Sequence, residues 1–173
     1  MEKAGRQRHL SNIVLTGMPG CGKSTVGVIL AKTLGVGFVD TDLLIQQREG
    51  RLLQEIINSD GIEHFLDCER NAVLSLDCDN SVIATGGSVI FRDEAMQKLH
   101  KNGKIVYLDV SLQTVLERLN NIQTRGVAVK KGETIEDLYK ERLPFYQHYA
   151  DITIEADGLS TEETVSAILK AIK

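Results

Sequence analysis

The densest chemistry in the chain lies in the octet Gly17-Met18-Pro19-Gly20-Cys21-Gly22-Lys23-Ser24, with the apolar run Ile13-Val14-Leu15 before it and the helix-like stretch Thr25-Val26-Gly27-Val28-Ile29-Leu30-Ala31-Lys32 after it. It fits the pattern GxxxxGK[ST] in the setting that pattern requires, a strand leading in and a helix leading out. Gly20 and Gly22 let the backbone turn its N–H groups inward as a nest for an anion, and the new helix adds its positive end. Lys23 would then reach the outer phosphates of a nucleotide, with Thr25 in the same first turn, and the Ser24 hydroxyl would hold Mg²⁺. A Gly-rich turn without a ligand is the ordinary alternative, and it accounts for less of the octet.

Three further places carry suggestive residues. Asp40-Thr41-Asp42 closes a strand-like run. One such acid is ordinarily a helix N-cap, here for the Leu43–Arg48 segment. Beside a phosphate-binding loop, the pair would instead place one carboxylate near the metal and the other toward whatever receives a phosphoryl group. Thr85-Gly86-Gly87-Ser88 is either a tight turn or a side-chain-free backbone that a substrate approaches closely. The polar, weakly patterned stretch at 120–132 is either a solvated connection or a lid that brings Arg125 over a terminal phosphate and excludes water. Arg142, in Glu141-Arg142-Leu143-Pro144-Phe145-Tyr146, could be an ordinary surface ion pair, and Pro144 suggests a kink there.

The elements that must position these residues alternate. Asn12–Thr16, Val36–Val39, Ser81–Ala84, Lys104–Asp109 and Ile152–Glu155 read as strands, with segments of roughly 3.6-residue apolar spacing between them. That order predicts an α/β fold, a parallel sheet covered by helices on both faces, with ligands collecting at the carboxyl ends of the strands. The helix after the octet should stop at Gly35. Ser111 should cap a helix whose inner face carries Val115, Leu116 and Leu119. The last helix should begin at Ser160 or Thr161 and face inward with Val165, Ile168, Leu169 and Ile172.

Composition bounds the rest. A chain of 173 residues fits one domain with a sizeable core. The net charge of −4, with both signs interspersed, lacks the one-sided basic field of a nucleic-acid binder. The three cysteines, Cys21, Cys68 and Cys78, fit no metal spacing and suggest free thiols in a reducing cytosol. The start is polar and no apolar run approaches the ~20 residues of a membrane helix, so a cytoplasmic protein is expected.

From about Asn12 to the C-terminus the chain resembles the shikimate kinases, small P-loop enzymes that phosphorylate the 3-hydroxyl of shikimate with ATP and Mg²⁺ in aromatic amino acid biosynthesis. The resemblance is carried by GMPGCGKST, FVDTD at Phe38–Asp42, ATGG at Ala84–Gly87, IVYLD at Ile105–Asp109, LERL at Leu116–Leu119 and ERLPFY at Glu141–Tyr146. It implies a three-layer αβα fold with a five-stranded, mostly parallel sheet, one domain over 1–173, a lid at about 120–132, and a monomer. It further implies that Ser24 and Asp40 lie on the magnesium side and that Asp42 hydrogen-bonds the acceptor hydroxyl and takes its proton. Gly86 and Gly87 would line the substrate pocket, Arg125 would be the lid arginine, Arg118 would border the adenine, and Arg142 would bind the substrate carboxylate.

Four departures from that pattern stand out. Phe65-Leu66-Asp67-Cys68-Glu69 has Leu66 where the pattern places a second carboxylate-binding arginine, and leucine cannot imitate a guanidinium fork. Ser88 replaces a third glycine, Gly126 a proline after the lid arginine, and Thr161 a proline near the adenine. Arg70, one helical turn beyond Leu66, is either a local replacement or a surface ion pair. The expected function is thus a shikimate kinase. The alternatives are a kinase for a related polyol or hydroxy acid with another head group, and a catalytically degenerate homologue that binds nucleotide.

Overall fold

A computed structural model describes residues 11–119 and 126–173. Strand β1 (Asn12–Thr16) is buried along its whole length, as its unbroken apolar run requires of a parallel strand covered on both faces. It pairs with β3 (Ser81–Ala84) on one side and β4 (Gly103–Asp109) on the other, in register Leu15↔Ala84 and Leu15↔Val106. β2 (Gly37–Asp40) lies outside β3 and β5 (Ile152–Glu155) outside β4, all parallel, in the order β2-β3-β1-β4-β5.

The strands fall where the β-branched runs place them, with two small displacements: β4 begins one residue early, at Gly103, and β2 is shifted one residue late. Val36 belongs to the end of helix α1 (Lys23–Leu34): its N–H donates to Ala31 O while Gly35 turns left-handed at φ 69°. Sheet pairing therefore starts at Gly37, opposite Ser81.

Between β2 and β3 the chain makes three helices, α2 (Thr41–Glu49), α3 (Leu53–Asp60) and α4 (Ile62–Leu74). They enclose a small core of their own, with Ile45, Leu53, Ile56, Phe65 and Ala72, closed by Ala128 from beyond position 125. The main core surrounds the sheet. A single 3-10 turn (Val89–Phe91) and α5 (Asp93–Asn102) lead into β4, and α6 (Leu112–Leu119) follows it. Ser111 Oγ accepts from Thr114 N–H at 3.3 Å, the expected cap. Val115 and Leu119 are buried but Leu116 is 37% exposed, so the inner face of α6 is narrower than expected.

Helix α7 (Ile135–Tyr149) opens on a Thr134/Asp137 capping box and continues through Pro144. Helix α8 (Thr161–Ala171) opens on a Ser160/Glu163 box, buries Val165 and Ile168, and leaves Leu169 and Ile172 partly exposed against the core. No helix among the described residues is long and apolar enough to cross a membrane. All three cysteines are free.

Candidate active site

The site begins with α1. Its N-terminus has no side-chain cap and no acidic residue in its first turn. The orphan N–H groups of Lys23 and its neighbours, which a helix must satisfy somewhere, are left facing the loop. The loop takes positive φ at Gly17 (145°), Gly20 (79°) and Gly22 (100°), conformations only glycine adopts freely. A Cβ at Gly17 would lie 2.8 Å from Leu108 O, so the loop also packs too closely on β4 for any side chain. Lys23 is buried and its Nζ donates to Gly17 O at 2.8 Å and Met18 O at 3.0 Å, which holds the ammonium at the mouth of the nest. Arg118, on α6, donates from Nη1 to Gly20 O at 3.1 Å and so borders the same loop.

Asp40 does both things asked of an acid at a strand end. Its Oδ1 caps α2, accepting from the N–H groups of Asp42 and Leu43 at 3.0 and 3.4 Å. Its Oδ2 accepts from Ser24 Oγ at 2.6 Å. The hydroxyl and carboxylate oxygens so joined, at the edge of a phosphate nest, are the hard donors Mg²⁺ takes, and the residues present fit that ion. Asp42, one residue into the same helix, points into a cleft of ≈ 710 Å³ that also holds Gly22, Lys23, Ser24, Thr25 and Arg142. Burial, then the neighbouring Asp40, pushes its carboxyl up to about 6.

Gly86 and Gly87 enter the site because nothing else fits. Gly86 N–H donates to Thr41 Oγ1 at 3.1 Å, and a Cβ there would collide with Glu69 Oε1 and reach Asp42 Oδ1. A Cβ on Gly87 would sit 2.9 Å from Arg142 Nη1 and 3.0 Å from Pro19 Cδ. Close approach, rather than a positive φ, is what requires glycine at both.

Arg142 is no surface ion pair. It is 2% exposed, donates from Nη2 to Ala128 O at 2.9 Å, and lies 5.6 Å from the centroid of Phe91. Its Nε has no partner among the described residues. A guanidinium so buried, with an N–H unused, is costly unless an anion joins it.

Sequence reasoning missed Glu69, Phe91 and Arg92 as site residues, and marked Ser88 only as a departure. Glu69 is buried, and burial pushes its carboxyl up to about 8, against the pull of the Ser88 hydrogen bond and the nearby Arg142 charge. Ser88 Oγ donates to Glu69 Oε2, which gives the serine in place of a third glycine a definite task. The signal for Glu69 was an acid one turn after Leu66 on a helix opening near the nest. Phe91 and Arg92 carried no local signal.

The four departures receive separate answers. Leu66 is buried and lines a second cavity of ≈ 590 Å³ that shares Ser88, Ala128 and Arg142 with the main cleft. Arg70 lines neither and pairs on the surface with Asp67 at 3.4 Å, so the replacement from its own helix is not made. Gly126 has φ 57° and a Cβ there would collide with Leu53, a place where proline, with its φ near −65°, could not sit. Thr161 is simply the first residue of α8. Arg125 lies outside the described residues. The segment after it, Gly126, Val127 and Ala128, forms part of the cleft wall.

Residues 19–173 match the family model described as shikimate kinase. The chain is 40% identical over 165 residues to the shikimate kinase of Sulfurihydrogenibium sp., covering 95% of this chain and 99% of that one. Its structure is similar to that of shikimate kinase from Acinetobacter baumannii in complex with shikimate, with a TM-score of 0.87 at 32% identity over 94% of this chain and 93% of that one. A gluconokinase from Sinorhizobium meliloti, at TM-score 0.54 and 17% identity over 96% of this chain and 93% of that one, shares the fold alone. The chain belongs to the shikimate kinase family, phosphotransferases that use ATP and Mg²⁺ and act on an alcohol group.

Proposed function

We propose that this chain transfers the γ-phosphoryl group of ATP to the 3-hydroxyl of shikimate. The observation that carries the reading is that one cleft holds the phosphate nest with Lys23, the half-buried Asp42, and the buried Arg142 with an N–H to spare. A small acid bearing a hydroxyl is what such a cleft can hold at both ends.

ATP with Mg²⁺ supplies the phosphoryl group and part of the charge neutralisation. The chain's residues do the rest. The loop N–H groups and the start of α1 bind the phosphates, with Lys23, Thr25 and Arg118 beside them, while Ser24 and Asp40 hold the ion. Asp42 accepts the hydrogen bond of the attacking hydroxyl, and a carboxyl titrating at about 6 matches a proton acceptor working near neutral pH. Gly86 and Gly87 let the ring approach the backbone, and Arg142 takes the carboxylate. Residues 126–128 help keep water out, and Arg125 would act from the lid at 120–132. The chain is read as one domain over 1–173, a cytoplasmic monomer serving aromatic amino acid biosynthesis.

A second reading, an acceptor with a neutral head group, is favoured by the apolar wall that Leu66 gives the cavity beside Arg142. A degenerate nucleotide binder fits less well, since Lys23, Ser24, Asp40 and Asp42 are all present. ADP release followed with shikimate, quinate and an uncharged cyclic polyol, with phosphorus NMR of the product, separates these. Turnover with shikimate alone, yielding the 3-phosphate, is expected. Preference for the polyol would replace the substrate, and ATP binding without turnover on any acceptor would leave a binding protein.

A further inference from the structure

Leu66 poses a question: where does the second positive charge for the substrate carboxylate come from? Among the described residues, the cavity bounded by Leu66, Ser88 and Arg142 contains one other arginine, Arg92, just beyond the 3-10 turn that carries Phe91.

Its placement is specific. Arg92 Nη2 lies 2.9 Å from Glu63 Oε2 and 3.1 Å from Asp67 Oδ1. These acids stand one turn before Leu66 and one residue after it on α4, so the guanidinium is fastened to the stretch of helix from which an arginine at position 66 would have projected. The next residue back, Phe91, lies against the Arg142 guanidinium. One short turn therefore touches Arg142 with its ring and delivers a second guanidinium to the same cavity.

The Arg92 side chain is also incompletely used. Both pairings fall on Nη2, while Nε is buried and has no partner among the described residues. The partners are weak holders, because the Glu63 and Asp67 side chains are 82% and 46% exposed and exposed pairs contribute little. Nε–H is sealed off as the side chain stands, so a carboxylate entering the cavity takes it as one tine of a fork once the guanidinium turns on its weak partners. The other charged groups around the cavity do not fill this role: the Lys130 side chain is mostly in solvent, and Glu133 has the wrong sign.

We propose that Arg92 is the second carboxylate-binding arginine of this chain, delivered from the segment after β3 rather than from position 66 of α4. With Arg142 it forms a two-guanidinium clamp, and Leu66 serves as the apolar floor. The inference rests on the reading of shikimate as acceptor.

Steady-state kinetics of the wild type, Arg92→Gln and Arg92→Lys with shikimate, and with its neutral carboxamide analogue, test it. Arg92→Gln should raise the KM for shikimate about ten- to a hundredfold, the worth of a charge-assisted hydrogen bond. The KM for ATP should stay within about twofold, and the penalty should vanish with the carboxamide. Arg92→Lys should recover part of the loss, because charge returns without the fork. A general disturbance of α4 would instead raise the KM for both acceptors equally and overturn the proposal, as would an unchanged KM for shikimate in Arg92→Gln. If the wild type turned over the carboxamide and not shikimate, the shikimate reading would fail and this inference with it. If the wild type uses shikimate but ignores the loss of Arg92, only this inference falls.

Discussion

The carboxyl groups of Asp42 and Glu69, from two different helices, converge on one face of Gly86, where an added methyl would collide with Glu69 Oε1 and lie 2.9 Å from Asp42 Oδ1. Gly86→Ala should therefore displace one or both acids from the cleft. The expected outcome is a loss of acceptor turnover of at least a hundredfold, while ATP binding at the loop, measured by calorimetry, stays within about threefold. Equal loss of both would mean that the methyl disturbs the sheet rather than the pocket.

The neighbouring acids Asp40 and Asp42 should separate kinetically. Asp42 lines the cleft while the Ser24 hydroxyl donates to Asp40, so Asp42→Asn should cut kcat by several orders of magnitude with little change in ATP affinity. Asp40 caps α2 through Oδ1 and holds Ser24 through Oδ2. Asp40→Asn should raise the Mg²⁺ requirement yet keep the cap, since asparagine caps a helix as well as aspartate, whereas Asp40→Ala should also lower stability by about 1 kcal/mol. A Mg²⁺ titration and a melting curve on these variants check this.

Lys23→Ala carries a similar double effect. Turnover should vanish, because the ammonium serves the outer phosphates. The melting temperature should fall too, since Lys23 Nζ ties the loop carbonyls of Gly17 and Met18 together. A variant that kept wild-type kcat would remove the nest from the mechanism.

Much of this was legible in the sequence, and the boundary between the legible and the hidden is physical. Strand β1 and the octet announce themselves because a buried parallel strand must be apolar throughout and an anion nest must have glycines at fixed offsets. Gly35 and the Ser160/Glu163 box mark helix ends by local chemistry alone. Asp40 was ambiguous between cap and metal-side ligand because a carboxylate has two oxygens, and the fold uses one as the cap and turns the other to the Ser24 hydroxyl. Leu66 was visible as a missing charge, yet its counterpart was sought one turn away at Arg70. Arg92 lies across a strand and a turn, where helical spacing gives no guidance. The burial of Arg142 was equally hidden, since ERLPFY reads the same on a surface helix as beneath a lid segment.

Glu69 predicts a pH dependence of stability. Its carboxyl is raised from the ordinary 4.5 to about 8 by burial, so the folded chain binds this proton more tightly than the unfolded one. The associated stability is fully present below pH ~4.5 and is lost as pH rises through about 8. Asp42 adds the same sign over a lower window, from 3.8 to about 6. The melting temperature of the free chain should therefore fall between pH 5 and pH 8. Glu69→Gln, which keeps the acceptor for Ser88 and never ionises, should flatten that slope. If its melting temperature falls as steeply as that of the wild type, the proton is not on Glu69.

Restoring an arginine at position 66 tests the pocket from the opposite side. Leu66→Arg would project a guanidinium toward the cavity that Leu66 and Arg142 both line. If shikimate is held by its carboxylate, the KM for shikimate should drop, and Arg70→Ala, on the outer surface with Asp67, should leave it unchanged. The size of the gain depends on Arg92. Two guanidinium groups competing for one carboxylate are not additive, and residues sharing a partner couple by roughly 0.5–3 kcal/mol. Leu66→Arg should thus improve shikimate binding less in the wild type than in an Arg92→Gln background, where it replaces a lost charge instead of adding a third. A double-mutant cycle on the KM for shikimate reads that coupling directly. Additive effects would mean that positions 66 and 92 address different groups on the acceptor, and no gain in either background would leave the carboxylate to Arg142 alone.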